Sequence, residues 1–343
     1  MNINYISRTP LKKETISATN LFVFNPEHDL ALAVGDRQFT PPKEALLLRK
    51  EKSLLPALYA SNGDFILVVD YPDLNEIPSL PFYDVCQRKN LGIVTLSGLH
   101  AVSSKVSEII PWGWDFAVCK LLCNNGVGAE MLPETSTLEN IRRLSHRRTT
   151  LRFRETIAKE LGEELMNPAR ELFSWDDVSS FLEEFPVAYF KAPWSSSGHG
   201  VVVSDHISSK GLKEWTAGTL RRQGSILAEP AWNRCLDFAT EWIVKDGTPL
   251  FLGYSVFETS SRGKYHGNMN DSQENLLKVI KKNAPRFDER ILAAQYAAIA
   301  GCISPYYSGP LGIDMLADTA GNINCCVELN LRMTMGHIPI LQT

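Results

Sequence analysis

Two apolar runs near the C-terminus, GIDML at 312–316 and INCCVELN at 323–330, hold charged side chains where a buried strand ordinarily has none. Both runs have strand length, and the turn residues Asp318 to Asn322 between them predict an antiparallel hairpin. Side chains alternate along a strand, so Glu328 and Asn330 share one face, and pairing across the turn brings Asp314 beside them. Arg332 occupies the next position on that side. Two carboxylates and a carboxamide are hard oxygen donors that suit Mg²⁺ bound together with a nucleotide, and a guanidinium beside them suits a transferring phosphoryl group. A surface hairpin with a salt bridge is the plain alternative, but the flanking CCV and ML residues are apolar.

The rest of the chain reads as layered α/β structure. LFVFN at 21–25, FILVV at 65–69 and GIVTL at 92–96 look like buried strands separated by a helical stretch at 43–60, the alternation of a parallel α/β lobe over 1–110. Residues 111–185 form a helical linker and the start of a small lobe, with an amphipathic helix at 114–125 and N-caps expected at Thr137 and Ser145, the second helix running to about Leu161. AYFKA at 188–192, GVVVS at 200–204, SILAE at 225–229, FATEWIV at 238–244 and PLFLGYSVF at 249–257 are strand-like with few helices between, which predicts antiparallel sheet in a small lobe at 186–232 and a C-terminal lobe at 233–343. A helix at about 286–301 precedes the closing hairpin.

Two further elements bear on chemistry. Lys191 ends a strand and is followed by Ser195, Ser196, Ser197, Gly198, His199 and Gly200, small residues whose backbone N–H groups can approach phosphate oxygens beside a compact positive charge. By itself this is weak evidence, since a Ser/Gly-rich hairpin is more often simply a flexible turn. It is not a Walker loop, since the lysine precedes the glycines. ILAEPAW at 226–232, followed by Asp237, has the look of a hinge whose backbone reads an adenine edge and whose following carboxylate meets ribose hydroxyls; alone, it is better read as a strand entering a proline turn.

Composition excludes several classes. A formal net charge of -4 gives no broad attraction for nucleic acid or an anionic membrane. The first twenty residues hold no apolar stretch of signal-peptide length and no later run would span a bilayer, so a cytoplasmic location is expected. The seven cysteines show no paired CxxC spacing that would suggest zinc, and Cys325 and Cys326, in an apolar run, read as small reduced core residues.

Taken together and in order, these elements over about 140–337 resemble the ATP-grasp superfamily. The resemblance implies that Lys191 with Ser196, Ser197, Gly198 and Gly200 contacts the phosphates, that Glu229, Pro230 and Ala231 form the hinge, and that Asp237 meets the ribose. It places the metal-binding acid at Asp314, and matches the closing motif, Glu, any residue, Asn, Pro, Arg, to Glu328, Asn330 and Arg332 in VELNLRMTMGHI. Leu331 stands where that motif has proline. The earlier cationic residue falls to the pair Arg147 and Arg148, with Arg152 a turn later, and SSRGKYHGN occupies the place of a mobile lid, so that Arg262 and Lys264 are offered to phosphate. FNPEHDLALA, with Glu27, His28 and Asp29, would belong to the first lobe; the histidine can act as a base, or the three can simply cap the following helix.

The fold so implied is an α/β (α+β) ATP-grasp arrangement, with an N-terminal parallel lobe and two α+β lobes enclosing the nucleotide. The implied activity is an ATP-dependent carboxylate–amine ligase using Mg²⁺, or Mn²⁺ in its place, with Arg332 and Lys191 as catalytic residues. Its substrates would be small-molecule or peptide carboxylates and amines, with no nucleic-acid or membrane partner, and a homodimer would be common for such enzymes. A phosphotransferase on the same fold and a non-catalytic nucleotide-binding module are the alternatives; the intact set of Lys191, Asp314, Glu328, Asn330 and Arg332 argues against the last.

Overall fold

The computed structural model describes residues 19–162, 168–195, 200–259 and 265–342, which gather into two compact units. The first unit comprises the described residues up to Glu27 with Pro41–Gly113 and Val118–Pro133. Its sheet is parallel throughout, with β1 (Asn20–Val23), β2 (Phe65–Val68), β3 (Gly92–Thr95) and β4 (Glu108–Pro111) in the order β3-β2-β1-β4. Parallel strands are covered on both faces, and the central residues Leu21, Ile66, Leu67 and Val68 are accordingly buried. The helix expected over 43–60 ends at Glu51 and gives way to a 3₁₀ turn at Leu55–Leu58. Pro56 explains the break, because a proline disfavours helical geometry at the residue before it and has no N–H for the ladder.

The second unit holds His28–Thr40, Trp114–Ala117 and the chain from Glu134 onward. It contains two antiparallel sheets. The smaller runs β5-β8-β6-β7, from β5 (Arg170–Leu172), β6 (Ala188–Lys191), β7 (Val201–Val203) and β8 (Ile226–Pro230). Its inner residues Leu172, Ala188, Phe190, Ile226 and Ala228 form one core with Val178 and Phe181 of the helix Trp175–Glu184 and Leu212 of the helix Ser209–Gln223. That last helix fills a stretch with no strand-like run; Ser208 caps it by accepting the Gly211 N–H (3.1 Å), and Gly224 ends it in the left-handed region.

The larger sheet runs β11-β10-β9-β12-β13, from β9 (Arg234–Lys245), β10 (Thr248–Thr259), β11 (Tyr265–Asn268), β12 (Gly309–Asp318) and β13 (Ile323–Asn330). Phe238, Trp242, Leu311, Ile313, Met315 and Leu329 point into a core shared with Phe153 and Ile157 of the helix Arg148–Leu161 and Ala298 and Ile299 of the helix Glu289–Cys302. The N-caps expected at Thr137 and Ser145 are displaced. The helix Thr135–Leu144 has already begun at Thr137, and Ser145 closes it, its N–H returning to Ile141 O (2.9 Å). The next helix starts only at Arg148, because the Arg147 N–H is held by Pro193 O (3.1 Å) outside any helix. Among the described residues no helix is long and apolar enough to cross a membrane.

Candidate active site

The site lies within the second unit, and its geometry starts from the closing hairpin. Asp314 pairs directly with Glu328, and Gly312 with Asn330, so the predicted antiparallel pairing is present. Between Asp314 and Leu316 the register jumps: Leu316 faces Asn324, leaving Cys325, Cys326 and Val327 opposite a single residue of β12. Such a bulge takes carbonyls out of the ladder, and side chains satisfy them here. Gln295 Nε2 donates to Cys325 O (3.1 Å) and Arg154 Nε to Cys326 O (2.5 Å), while Cys326 N–H donates to Asn324 Oδ1 (3.2 Å). The irregular strand therefore delivers Glu328 from a fully tied backbone.

Asn330 Nδ2 donates to Asp314 Oδ2 (3.1 Å), and Asn330 Oδ1 accepts from Arg332 Nη2 (3.0 Å). Burial pushes the Asp314 carboxyl up to about 8, and the neighbouring charges of Glu328 and Glu241 add to it. Glu241, on β9 opposite Gly312, is buried and accepts from Ser255 Oγ (2.9 Å) and Thr334 Oγ1 (3.0 Å). Gly336 packs against this carboxylate so closely that an added Cβ would overlap Glu241 Oε1 and lie 2.6 Å from Ser255 Oγ.

Arg332 lies just beyond β13 and is held by a residue from the start of the chain: its Nε and Nη2 donate to Asp29 Oδ2 (2.9 and 2.8 Å). Burial opposes ionisation of Asp29, but Arg332 outweighs it, with His28 and Arg147 contributing, and the carboxyl is held below its usual range. Nη1 of Arg332 spends one N–H on Met333 O (3.0 Å) and has a second to offer.

The cationic side of the site comes from β6 and the start of the helix Arg148–Leu161. Lys191 ends β6 and is paired with Glu229 of β8, whose other oxygen accepts from Arg154 Nη2 (2.8 Å); all three side chains are buried. Burial pushes Glu229 up, but Lys191 and then Arg154 more than offset it, and the carboxyl falls to about 2. Arg147 is buried too. Its Nη1 donates to Ala192 O (2.6 Å) and Ser195 Oγ (2.7 Å), and its Nη2 to Glu328 Oε1 (2.6 Å), so it joins the end of β6 to the closing hairpin. Its Nε is buried with no partner among the described residues. Gly200 has φ +76, and a Cβ there would meet Ser195 Cβ at 2.9 Å, which explains glycine where the loop re-enters the sheet.

Of the residues read from sequence, Lys191, Arg147, Glu229, Asp314, Glu328, Asn330 and Arg332 are linked in this way. Arg148 is not: it is exposed, pairs with Glu171 (2.9 Å) and donates to His146, whose pKa burial and the nearby Arg148, Arg142 and Arg147 push down to about 3. Arg152 is exposed as well. The Ala231 N–H donates to Val187 O (2.9 Å), leaving the backbone on either side of it at the strand end. Asp237 lies on β9 beside Arg234 (3.2 Å). Ser196, Ser197, Gly198, His199, Arg262 and Lys264 lie outside the described residues. Sequence reasoning missed Arg154, Glu241 and the Asp29–Arg332 pair. Two of these carried a signal: on the helix expected from Ser145, Arg154 falls seven residues after Arg147, and Glu241 is a carboxylate inside the apolar run FATEWIV.

Among the described residues no three His, Cys, Asp or Glu side chains gather as a metal cluster. The oxygen set is instead two carboxylates and a carboxamide, with Asp314 pushed toward its protonated form chiefly by burial and then by Glu328 and Glu241. A hard divalent cation fits that donor set.

No family model matches the chain, and no curated protein matches it by sequence. Solved structures do match. N5-carboxyaminoimidazole synthetase from Staphylococcus aureus, crystallised with ADP, is 14% identical with a TM-score of 0.51, covering 95% of this chain and 73% of that one. Biotin carboxylase from Campylobacter jejuni, in complex with β,γ-ATP, is 13% identical with a TM-score of 0.54, covering 94% and 67%. The biotin carboxylase domain of 2-oxoglutarate carboxylase from Hydrogenobacter thermophilus, crystallised with MgADP and bicarbonate, is 14% identical with a TM-score of 0.52, covering 96% and 69%. At such identities the likeness speaks to architecture alone. With one parallel sheet, two antiparallel sheets and the closing hairpin in the expected order, the chain has the ATP-grasp fold.

Proposed function

We propose that this chain is an ATP-dependent ligase that activates a carboxylate as an acyl phosphate and couples it to an amine. The observation that supports this reading best is the alternation of cations and hard oxygens along one path, from Glu229–Lys191 through Arg147–Glu328 to Asp314–Asn330–Arg332–Asp29. Phosphoryl transfer to a carboxylate needs little covalent help from a protein; it needs placement and neutralisation of charge. In this reading Lys191, fixed by Glu229, and Arg147, fixed by Ala192 and Ser195, offset phosphate charge. The backbone flanking Ala231 reads the adenine edge, and Asp237 meets the ribose. Asp314, Glu328 and Asn330 would hold Mg²⁺, which when bound supplies further neutralisation of the phosphate oxygens. Arg332, anchored by Asp29, turns its remaining Nη1 N–H toward the acyl phosphate oxygens and steadies the oxyanion formed as the amine adds.

The test is release of ADP and phosphate by the purified protein with Mg²⁺-ATP, across pools of amino acids, short peptides and small carboxylic acids. Release that requires both an acid and an amine is expected from the wild type. Glu328→Gln should abolish it while leaving the melting temperature near that of the wild type; a normal rate in that variant would sink the metal assignment.

A further inference from the structure

His28, at the start of the helix His28–Val34, is buried to 1% exposure. Its Nδ1 lies 3.3 Å from Asp115 Oδ2, and Asp115 is itself buried and fixed by accepting the Ala117 N–H at Oδ1 (2.8 Å). The carboxylate accepts only, so the Nδ1 proton faces it, and the opposite nitrogen is left as a bare acceptor. That nitrogen, Nε2, is buried with no partner among the described residues. A buried polar atom without a partner is costly and calls for an explanation, of which a ligand supplied during the reaction is one. The next residue in the chain, Asp29, is the one that holds Arg332, so the dyad is tied to the guanidinium assigned to the acyl phosphate. A histidine oriented at one nitrogen by a buried carboxylate and left without a partner at the other among the described residues has the arrangement of a general base awaiting its substrate.

We propose that His28, oriented by Asp115, is the general base that deprotonates the acceptor amine; this rests on the ligase reading above. An amine arrives as an ammonium ion and cannot attack until it loses a proton. His28 Nε2 takes that proton, Asp115 stabilises the imidazolium, and the freed nitrogen lone pair forms the C–N bond at the acyl carbon. The tetrahedral adduct then collapses, the C–O bond to phosphate breaks, inorganic phosphate leaves with the bonding pair, and the nitrogen sheds its second proton to phosphate or water. Asp115 is a positioning residue in this scheme, since it acts through the ring.

Hydroxylamine separates this proposal from the reading it rests on, because it is a free nucleophile near neutral pH and needs no base. The probe is pooled carboxylic acids with Mg²⁺-ATP and either hydroxylamine, read as hydroxamate, or pooled amino acids, read as amide. His28→Gln should keep hydroxamate formation within about twofold of wild type while amide formation falls about a hundredfold. Asp115→Asn, which leaves the ring in place, should show the same split with a smaller loss, and so serves if His28→Gln does not reach a wild-type melting temperature. An equal fall in both products, or no fall in either, overturns the base assignment. Absence of any acid-dependent hydroxamate from the wild type overturns the ligase reading itself, and the assignment with it.

Discussion

Replacing Arg154 with Met keeps most of the side-chain volume on the helix Arg148–Leu161 and removes one of the two cations that hold Glu229. In the folded chain Glu229 ionises at about 2 against an ordinary 4.5, which is worth about 3 kcal/mol in favour of the charged form. Loss of Arg154 forfeits part of that and also strips Cys326 O of its partner, a further ~1–3 kcal/mol. Breaking a buried pair from one side costs about 3–5 kcal/mol, so an expected loss of about 3 kcal/mol is consistent from both directions. The pH dependence has a definite sign. A carboxyl whose folded pKa is depressed contributes fully above its unfolded value of 4.5 and loses the contribution as pH falls toward 2. Wild type and Arg154→Met should therefore lie farthest apart near pH 7 and draw closer as the pH falls through 3 toward 2, the share owed to Cys326 O remaining. Urea unfolding followed by tryptophan fluorescence at the two pH values measures both gaps. A gap under about 1 kcal/mol at pH 7, or one that does not narrow at pH 3, would refute the charge argument.

Two other outcomes follow from the geometry. Arg147→Ala should lower turnover by about a hundredfold, since it removes buried donors from the cationic side of the site, whereas Arg148→Ala, exposed and paired only with Glu171 and His146, should leave turnover within about twofold; steady-state rates on the same substrate pool decide between them. Gly336→Ala should destabilise the chain by about 1–3 kcal/mol, because the new methyl overlaps the Glu241 carboxylate, and a thermal melt reads it directly.

The legible parts of the chain were those where chemistry violated local pattern. Asp314, Glu328 and Asn330 stand out because carboxylates and a carboxamide interrupt strands that are otherwise apolar, and strand alternation then fixes their common face. The parallel sheet was readable from three apolar runs, but β4 was not: it is no shorter than the others, yet it opens on the exposed Glu108 and closes on Pro111, which leaves only Ile109 and Ile110 as an apolar signal. Arg147 could not be told from Arg148 because the expected cap at Ser145 put both on the coming helix, whereas Arg147 stands before it, its N–H held by Pro193 O. The helix Ser209–Gln223 was hidden by a weakly amphipathic pattern, although Ser208 and Gly224 bracket it as caps. Nothing local could announce the Asp29–Arg332 pair, since its partners are 303 residues apart and only the completed fold makes them neighbours.

That separation sets a schedule for biosynthesis. At ~5–20 residues per second, the ribosome needs about 15–60 s after adding Asp29 to reach Arg332. Throughout that interval Asp29 waits without its guanidinium, and the pair that anchors Arg332 cannot form earlier. A nascent chain can therefore have finished its parallel sheet and still leave Asp29 unbalanced, acquiring that charge balance only once the final hairpin and the residues beyond it have cleared the exit tunnel.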